Sequence, residues 1–136
     1  MKKASNILFK ISIAVQFILV GTFLLLGIMF LLFALPANKE IIIQGLNEGW
    51  ITSNFEGTPE EVATQIQVLM LGFGVYFLPF TIIPLISAIL CIVAVKKPSK
   101  GNYIANIILG ALCGSGLPVL GAIFGLIALN QENKKE

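Results

Sequence analysis

Long apolar blocks, separated by short polar segments, dominate the pattern of this chain. The first block covers residues 9–35 and includes few polar side chains, among them Ser12 and Gln16. It is longer than the apolar core of about 7–15 residues that a secretory signal carries. Pro36 ends it, because proline cannot continue a helix. We therefore expect an uncleaved first membrane span over residues 9–35.

The second block begins with the signature of a helix N-terminus. Thr58 can cap the first turn, Pro59 suits the first helical position, and Glu61 can reach back to the N–H of the cap. Few polar residues follow before Lys96. At about 1.5 Å per residue such a helix would be roughly 55 Å long, whereas the hydrocarbon core of a bilayer is about 30 Å thick.

We expect the second span itself to cover residues 66–95, so that the first turns of this helix project from the bilayer. Pro79 and Pro84 lie inside the span. Each of them removes a backbone donor and clashes with the preceding turn. The sequence therefore predicts a kink within this span.

The connection between the two spans, residues 36–61, has an apolar face of its own. Helical spacing places three of its side chains on one side, namely Ile42, Leu46 and Trp50. A similar stripe runs along the first part of the second helix, formed by Val62, Ile66, Leu69 and Phe73. The two faces could cover each other as a small extracellular cap. Alternatively, the connection could lie on the lipid interface with Trp50 as its anchor.

The last apolar region, residues 102–130, is divided by a segment rich in glycine that precedes Pro118. It is too short for two full spans and longer than one span needs. We expect two short helices, 102–114 and 117–130, that fold back on each other and either thin the bilayer or re-enter it. One kinked span is the alternative.

Small residues in this region indicate close helix packing. The glycines recur at helical spacing, at Gly110, Gly114, Gly121 and Gly125. In an antiparallel hairpin, Gly110 would lie near Gly121 and Asn106 near Gly125. We predict packing within the hairpin, and association with another copy or a partner helix is the alternative.

The distribution of charge favours the hairpin. Eight of the nine lysines fall in three segments that flank apolar blocks, namely Lys2, Lys3 and Lys10, then Lys96, Lys97 and Lys100, then Lys134 and Lys135. The connection contains one lysine and most of the glutamates. Because lysine-rich segments stay in the cytoplasm, both termini should be cytoplasmic.

We predict an all-α polytopic helical membrane protein of the bacterial plasma membrane. It would be a four-helix bundle with two long and two short helices and a small extracellular cap. Three spans with an outer tail are the alternative.

Composition agrees with a membrane protein and removes most catalytic chemistry. The chain is 57% hydrophobic and 12% charged, whereas soluble domains are nearer half apolar and about a quarter charged. It contains no His, Arg or Asp, which excludes a Ser–His–Asp triad and histidine-containing metal sites. Its net charge of +2 is too small to indicate nucleic acid binding. We therefore expect no enzyme activity, cofactor, metal or nucleic acid partner.

Charged residues are confined to the ends of the predicted spans, which disfavours proton-coupled transport. Two polar side chains, Gln16 and Asn106, are expected in the cytoplasmic thirds of their helices. They could hydrogen-bond across the bundle. They could equally bond their own backbone or interfacial water.

Two segments resemble an uncharacterised domain-of-unknown-function family of short four-span membrane proteins of Gram-positive bacteria. They are Ile92–Lys100, which reads IVAVKKPSK, and Leu117–Leu129, which reads LPVLGAIFGLIAL before a charged tail. The resemblance implies two pairs of helices joined by a basic cytoplasmic turn. It implies no active residues.

The leading functional hypothesis is a non-enzymatic accessory or interaction protein. Its partners would be the lipid bilayer and another membrane protein or a second copy of the chain. One alternative is an immunity or stress protein that engages an extracellular peptide or toxin through the connection. Another is a subunit of an oligomeric pore or transporter.

Overall fold

The computed structural model describes residues 1–134 and contains no strand in that part of the chain. Its α-helices in chain order are α1 (Lys2–Ala34), α2 (Lys39–Glu48), α3 (Pro59–Phe80), α4 (Ile82–Lys96), α5 (Lys100–Leu112) and α6 (Gly116–Glu132). A 3₁₀ turn, Pro36–Asn38, joins α1 to α2. The prediction of an all-α protein is therefore confirmed.

The helices form two compact units. The first unit contains Met1–Gly21 together with the described residues from Thr81 onward, and the second contains Thr22–Phe80. The core of the first unit takes side chains from α1, α4, α5 and α6, namely Phe9, Cys91, Ala94, Tyr103 and Ala122. In the second unit, aromatic rings of α1 and α3 pack together, namely Phe23, Phe30, Phe73 and Phe77.

Two stretches are long and apolar enough to cross a membrane, Lys2–Ala34 and Pro59–Lys96. Only 6% of the most apolar part of the first stretch is buried, and 28% of the second. A core helix of a soluble protein would be mostly buried, because its apolar face must leave water. These stretches therefore fit the long apolar helices expected of a membrane protein.

The second long stretch is interrupted at Thr81. Helix α3 ends one residue before Thr81, and α4 begins one residue after it. Pro79 and Pro84 flank this position, and neither offers an N–H to the carbonyl one turn earlier. The N–H of Leu85 still bonds the carbonyl of Thr81 at 3.3 Å, so the helix resumes at once. The predicted single span over 66–95 is thus two helices, with the interruption where the prolines predicted a kink.

A glycine turn joins α5 to α6. Gly114 adopts a left-handed conformation, with φ of +66°. The N–H of Ser115 bonds the carbonyl of Gly110 at 2.8 Å, and the N–H of Gly114 bonds that of Ala111 at 3.3 Å. This pair of hydrogen bonds is a Schellman motif, which ends a helix and reverses the chain.

Helices α5 and α6 run antiparallel and pack closely. A Cβ atom added to Gly125 would lie 2.5 Å from Cε1 of Tyr103. One added to Gly110, near the turn, would lie 2.7 Å from Cγ2 of Val119. Contacts both near the turn and far from it define a hairpin, so the alternative of one kinked span over 102–130 is wrong.

Two glycines differ from the expected hairpin packing. Gly121 faces α1 rather than Gly110, because a Cβ there would lie 3.3 Å from the ring of Phe9 and 3.4 Å from Cβ of Leu8. Gly114 packs against no helix, since a Cβ there would meet no heavy atom within 4 Å. It serves the turn through its backbone conformation instead.

The end of α1 is closed by side chains of the second unit. Nδ2 of Asn38 donates to the carbonyl of Leu32 at 2.6 Å. Nε2 of Gln67, on α3, donates to the carbonyl of Leu35 at 2.8 Å. Backbone N–H groups also reach both carbonyls, from Leu35 to Leu32 at 3.2 Å and from Asn38 to Leu35 at 2.9 Å. The two side-chain amides therefore add a second hydrogen bond to each carbonyl at the end of α1, where the helix itself supplies few partners.

The two ends of the first unit's chain meet. Nζ of Lys2 lies 3.0 Å from Oε1 of Glu132, as an exposed ion pair. Helix α6 therefore returns the chain to the end of the unit at which α1 begins. The predicted cytoplasmic C-terminus also concerned Lys135 and Glu136, which lie outside the described residues.

Replacing Gly125 by alanine should destabilise the hairpin. The added methyl group would collide with the ring of Tyr103, and such overpacking costs about 1–3 kcal/mol. The measurement is thermal unfolding of the purified protein in detergent. Gly21→Ala is the matched control, because a Cβ at Gly21 meets no heavy atom within 4 Å. If both variants unfold at the same temperature, the close contact at Gly125 is not present in the protein.

Candidate functional site

The connection folds against α3 as a partial cap. Helix α2 lies beside α3. Ile42 and Val62 are buried, and Leu46 and Ile66 are half-buried. The structure thus brings together the first two residues of each stripe that the sequence analysis identified.

The remaining residues of the two stripes stay exposed, which corrects the expected extent of the cap. Trp50 is 57% exposed, Leu69 42% and Phe73 45%. Helix α2 ends at Glu48, and Gly49 follows in a left-handed conformation with φ of +78°. The helical face that carries Ile42 and Leu46 therefore stops before Trp50. The indole N–H of Trp50 instead donates to Oε2 of Glu48 at 3.1 Å.

The segment after α2 creates a groove over α3. A groove of about 430 Å³ has one wall formed by residues 51–55 and the other by Ile66, Leu69, Met70 and Phe73. A second groove, of about 150 Å³, lies between α2, residues 53–57 and the start of α3. Ser53 and Phe55 line both grooves, so Phe55 stands on the ridge between them. We call this surface the Phe55 ridge and its two grooves.

The sequence near the Phe55 ridge is strongly acidic. Residues 39–61 contain one lysine and five glutamates, at positions 40, 48, 56, 60 and 61. Glu61 forms the predicted capping box. Its Oε2 accepts from the N–H of Thr58 at 2.9 Å, and its own N–H donates to Oγ1 of Thr58 at 3.3 Å. The backbone hydrogen bond from Thr58, and then the side-chain one, lower the pKa of Glu61, so this carboxylate is charged at neutral pH.

A second polar cluster lies inside the first unit, along one face of α1. Ser5, Ser12 and Gln16 are buried there. Oγ of Ser5 donates to the carbonyl of Gly121 at 2.7 Å, and Nε2 of Gln16 donates to Oγ of Ser115 at 3.3 Å. Gln16 thus bonds across helices, from α1 to the residue that precedes α6.

Asn106 connects three helices of the first unit. Its Nδ2 donates to the carbonyl of Leu90 on α4 at 3.1 Å and to that of Asn102 on α5 at 2.9 Å. Its Oδ1 lies 3.2 Å from Sγ of Cys91, which in turn lies 3.6 Å from Oγ of Ser12 on α1. The ring of Tyr103, rather than Asn106, covers Gly125.

Sequence reasoning identified Gln16 and Asn106 in this cluster and missed Ser5, Ser12 and Cys91. The signal that could have found the serines is their spacing. Ser5, Ser12 and Gln16 recur at seven and then four residues, which places them on one helical face. Small hydroxyl side chains on a helix face commonly mark contact with another helix in a membrane protein.

Neither cluster has the parts of a catalytic or metal site. No group of three or more metal-ligating side chains occurs within residues 1–134. Every buried side-chain nitrogen or oxygen in that range has a hydrogen-bond partner. A thiol or hydroxyl needs an adjacent base to act as a nucleophile, and the partners of Cys91 are a hydroxyl and an amide.

Comparison with protein-family models, with curated proteins and with solved structures found no match. The resemblance to a family of four-span proteins of Gram-positive bacteria stays a prediction. What the structure defines is an all-helical chain with two stretches capable of crossing a membrane.

The substitution Thr58→Val should raise the pKa of Glu61 toward its ordinary value of 4.5, because it removes the Thr58 hydroxyl, whose hydrogen bonding contributes to lowering that pKa. The pKa of Glu61 is lower in the folded protein than in the unfolded chain. The capping box therefore contributes its full stability above about pH 4.5 and loses it as the pH falls through the lowered pKa. The pKa of Glu61 can be measured in micelles by an NMR titration of its side-chain carboxyl carbon. Valine retains the backbone N–H, so we expect a partial shift, and Thr52→Val is the control. An unchanged titration of Glu61 in Thr58→Val would contradict the capping box.

The substitution Asn106→Leu should destabilise the first unit. It removes the two side-chain hydrogen bonds to the carbonyls of Leu90 and Asn102, and a typical intramolecular hydrogen bond contributes about 0.5–1.5 kcal/mol. The measurement is thermal unfolding in detergent. Asn54→Leu, in an exposed part of the connection, makes the same chemical change where water can replace the lost bonds. Equal unfolding temperatures for the two variants would show that the cluster contributes nothing.

Proposed function

We propose that this chain is an integral membrane protein whose role is to bind another polypeptide through the surface of its connection, residues 36–61. The proposed membrane location is supported by the exposed flanks of the two long apolar stretches, of which only 6% and 28% are buried. Large apolar side chains on such flanks require lipid or another apolar surface. The lysine segments support a cytoplasmic location for the chain ends.

The observation that carries the binding role is the Phe55 ridge with its two grooves. Monomers seldom expose an apolar depression without using it. Phe55, which lies outside the two long apolar stretches, is 40% exposed. The internal glycine faces are less suitable for a partner. Gly110, Gly121 and Gly125 are already covered by side chains of the same chain.

The charge around the ridge favours a basic partner. Five glutamates against one lysine in residues 39–61 make this segment negative at neutral pH. Complementary charge raises the rate of encounter and excludes partners of like charge. The proposed partner is therefore a cationic amphipathic segment of another polypeptide. It would place apolar side chains in the grooves and lysines or arginines beside the glutamates. A secreted cationic peptide, the partner of an immunity or stress protein, has the same chemistry.

Binding of a synthetic amphipathic Leu/Lys helix to the protein in nanodiscs of zwitterionic lipid tests this proposal. We expect saturable binding above the level of empty nanodiscs. The affinity should fall as salt rises, because the charges are exposed. Phe55→Ala should weaken binding by about tenfold, which corresponds to 1.4 kcal/mol.

Two controls separate the parts of the proposal. A Leu/Glu helix of the same length should not bind. Leu120→Ala removes an apolar side chain of α6 that is 49% exposed, against 40% for Phe55, and should leave binding unchanged. Equal binding to empty nanodiscs, or to the Phe55→Ala variant, would reject the ridge as the binding surface. Recovery of the full chain in the soluble fraction, without detergent, would reject the membrane location.

A further inference from the structure

Helices α5 and α6 are short for a bilayer. They contain 13 and 17 residues, or about 20 and 25 Å at 1.5 Å per residue, against a hydrocarbon core of about 30 Å. Their outer ends are charged, at Lys100 and at Glu132. Part of each helix therefore lies in the headgroup region, which shortens the length available for crossing.

Contacts with α1 show how far the hairpin reaches along that helix. Near the charged ends, the rings of Tyr103 and Phe9 stack with centroids 5.9 Å apart. At the turn, Ser115 accepts a hydrogen bond from Gln16. The hairpin thus accompanies α1 only up to about Gln16, whereas α1 continues as a helix to Ala34.

The last charged residue of α1 is Lys10, six residues before Gln16. That separation is about 9 Å along a helix, less than the roughly 15 Å that a single leaflet contributes to the hydrocarbon core. If lipid begins near Lys10, as the lysine segments indicate, the turn at Gly114 and Ser115 lies within the first leaflet.

The outer surface of the hairpin is apolar up to its turn. The exposed fraction is 80% for Leu112, beside the turn, and is also high for Ile108 at 56%, Leu120 at 49% and Ile123 at 40%. Exposure of such apolar side chains to water is unfavourable in free energy, whereas contact with lipid acyl chains is not. At the turn, the Schellman hydrogen bonds satisfy the carbonyls of Gly110 and Ala111 within the chain, which lowers the cost of placing that backbone in lipid.

From these observations we infer that α5 and α6 form a re-entrant hairpin that enters the bilayer from the side of the chain ends, turns within one leaflet and returns. Its lipid-facing partner is the acyl chains of that leaflet. Lys2 and Glu132, which form an ion pair, then lie on the same side of the membrane, and α5 and α6 add no third or fourth span. This inference rests on the membrane location proposed above.

The depth of tryptophan side chains tests the inference in the full chain. Trp50→Phe removes the single tryptophan, and Leu112→Trp then places one beside the turn, at a position open enough to accept it. The protein is reconstituted in vesicles with lipids brominated at different acyl positions. We expect blue-shifted emission and strongest quenching by bromine near the middle of the chain. Ile104→Trp, near the start of α5, should be quenched at shallow positions, and Ile108→Trp at an intermediate depth.

Other outcomes would overturn the inference in distinguishable ways. Shallow quenching at Leu112→Trp would place the turn at an interface, as a full span requires. Red-shifted, unquenched emission would place the hairpin in water. Blue-shifted, unquenched emission would mean that protein, such as a second copy, covers it. Recovery of the protein in the soluble fraction would contradict the proposed membrane location. The three quenching outcomes above would contradict only the re-entrant hairpin.

Discussion

Polar groups that leave water must find hydrogen-bond partners, and this constraint organises the first unit. Helix α1 carries Ser5, Ser12 and Gln16 on one buried face. Their partners come from three different places, since Ser5 bonds α6, Ser12 contacts Cys91 on α4, and Gln16 bonds the turn before α6. In apolar surroundings such bonds hold specific pairs of helices together, whereas lipid and leucine side chains are equally apolar and select no particular arrangement. The polar face of α1 therefore determines where the other helices lie.

Glycine makes these polar contacts possible by letting helices approach. The hydroxyl of Ser5 reaches the backbone carbonyl of Gly121 because no side chain stands between them. The same glycine lies against Phe9, and Gly125 lies against Tyr103. Since Phe9 and Tyr103 also stack on each other, the aromatic pair and the two glycines together join α1, α5 and α6. Close packing and hydrogen bonding thus depend on the same residues.

In the second unit, side chains form hydrogen bonds with backbone groups at the ends of helices. Asn38 and Gln67 bond the last carbonyls of the α1 region. At the start of α3, the side chains of Thr58 and Glu61 each accept a hydrogen bond from the other's backbone N–H. These bonds lie at exposed positions, so water could replace them. The apolar surface beside them, around Phe55, Leu69 and Phe73, is left uncovered. The second unit thus combines satisfied helix ends with an exposed apolar surface on and beside the connection, and the proposed binding role rests on that surface.

Local signals in the sequence determined most of the secondary structure. The capping box at Thr58, the glycine turn at Gly114 and the prolines around Thr81 act within one or two helical turns, so the residues themselves specify them. Only the tertiary structure decided which helices those elements meet. The partners of Gln16 and Asn106, the contact of Gly121 with α1, and the turning away of Trp50 join residues that are distant in sequence or depend on where α2 stops. Apolar helices in an apolar environment have many nearly equivalent ways to pack, and a few polar groups and small residues select among them.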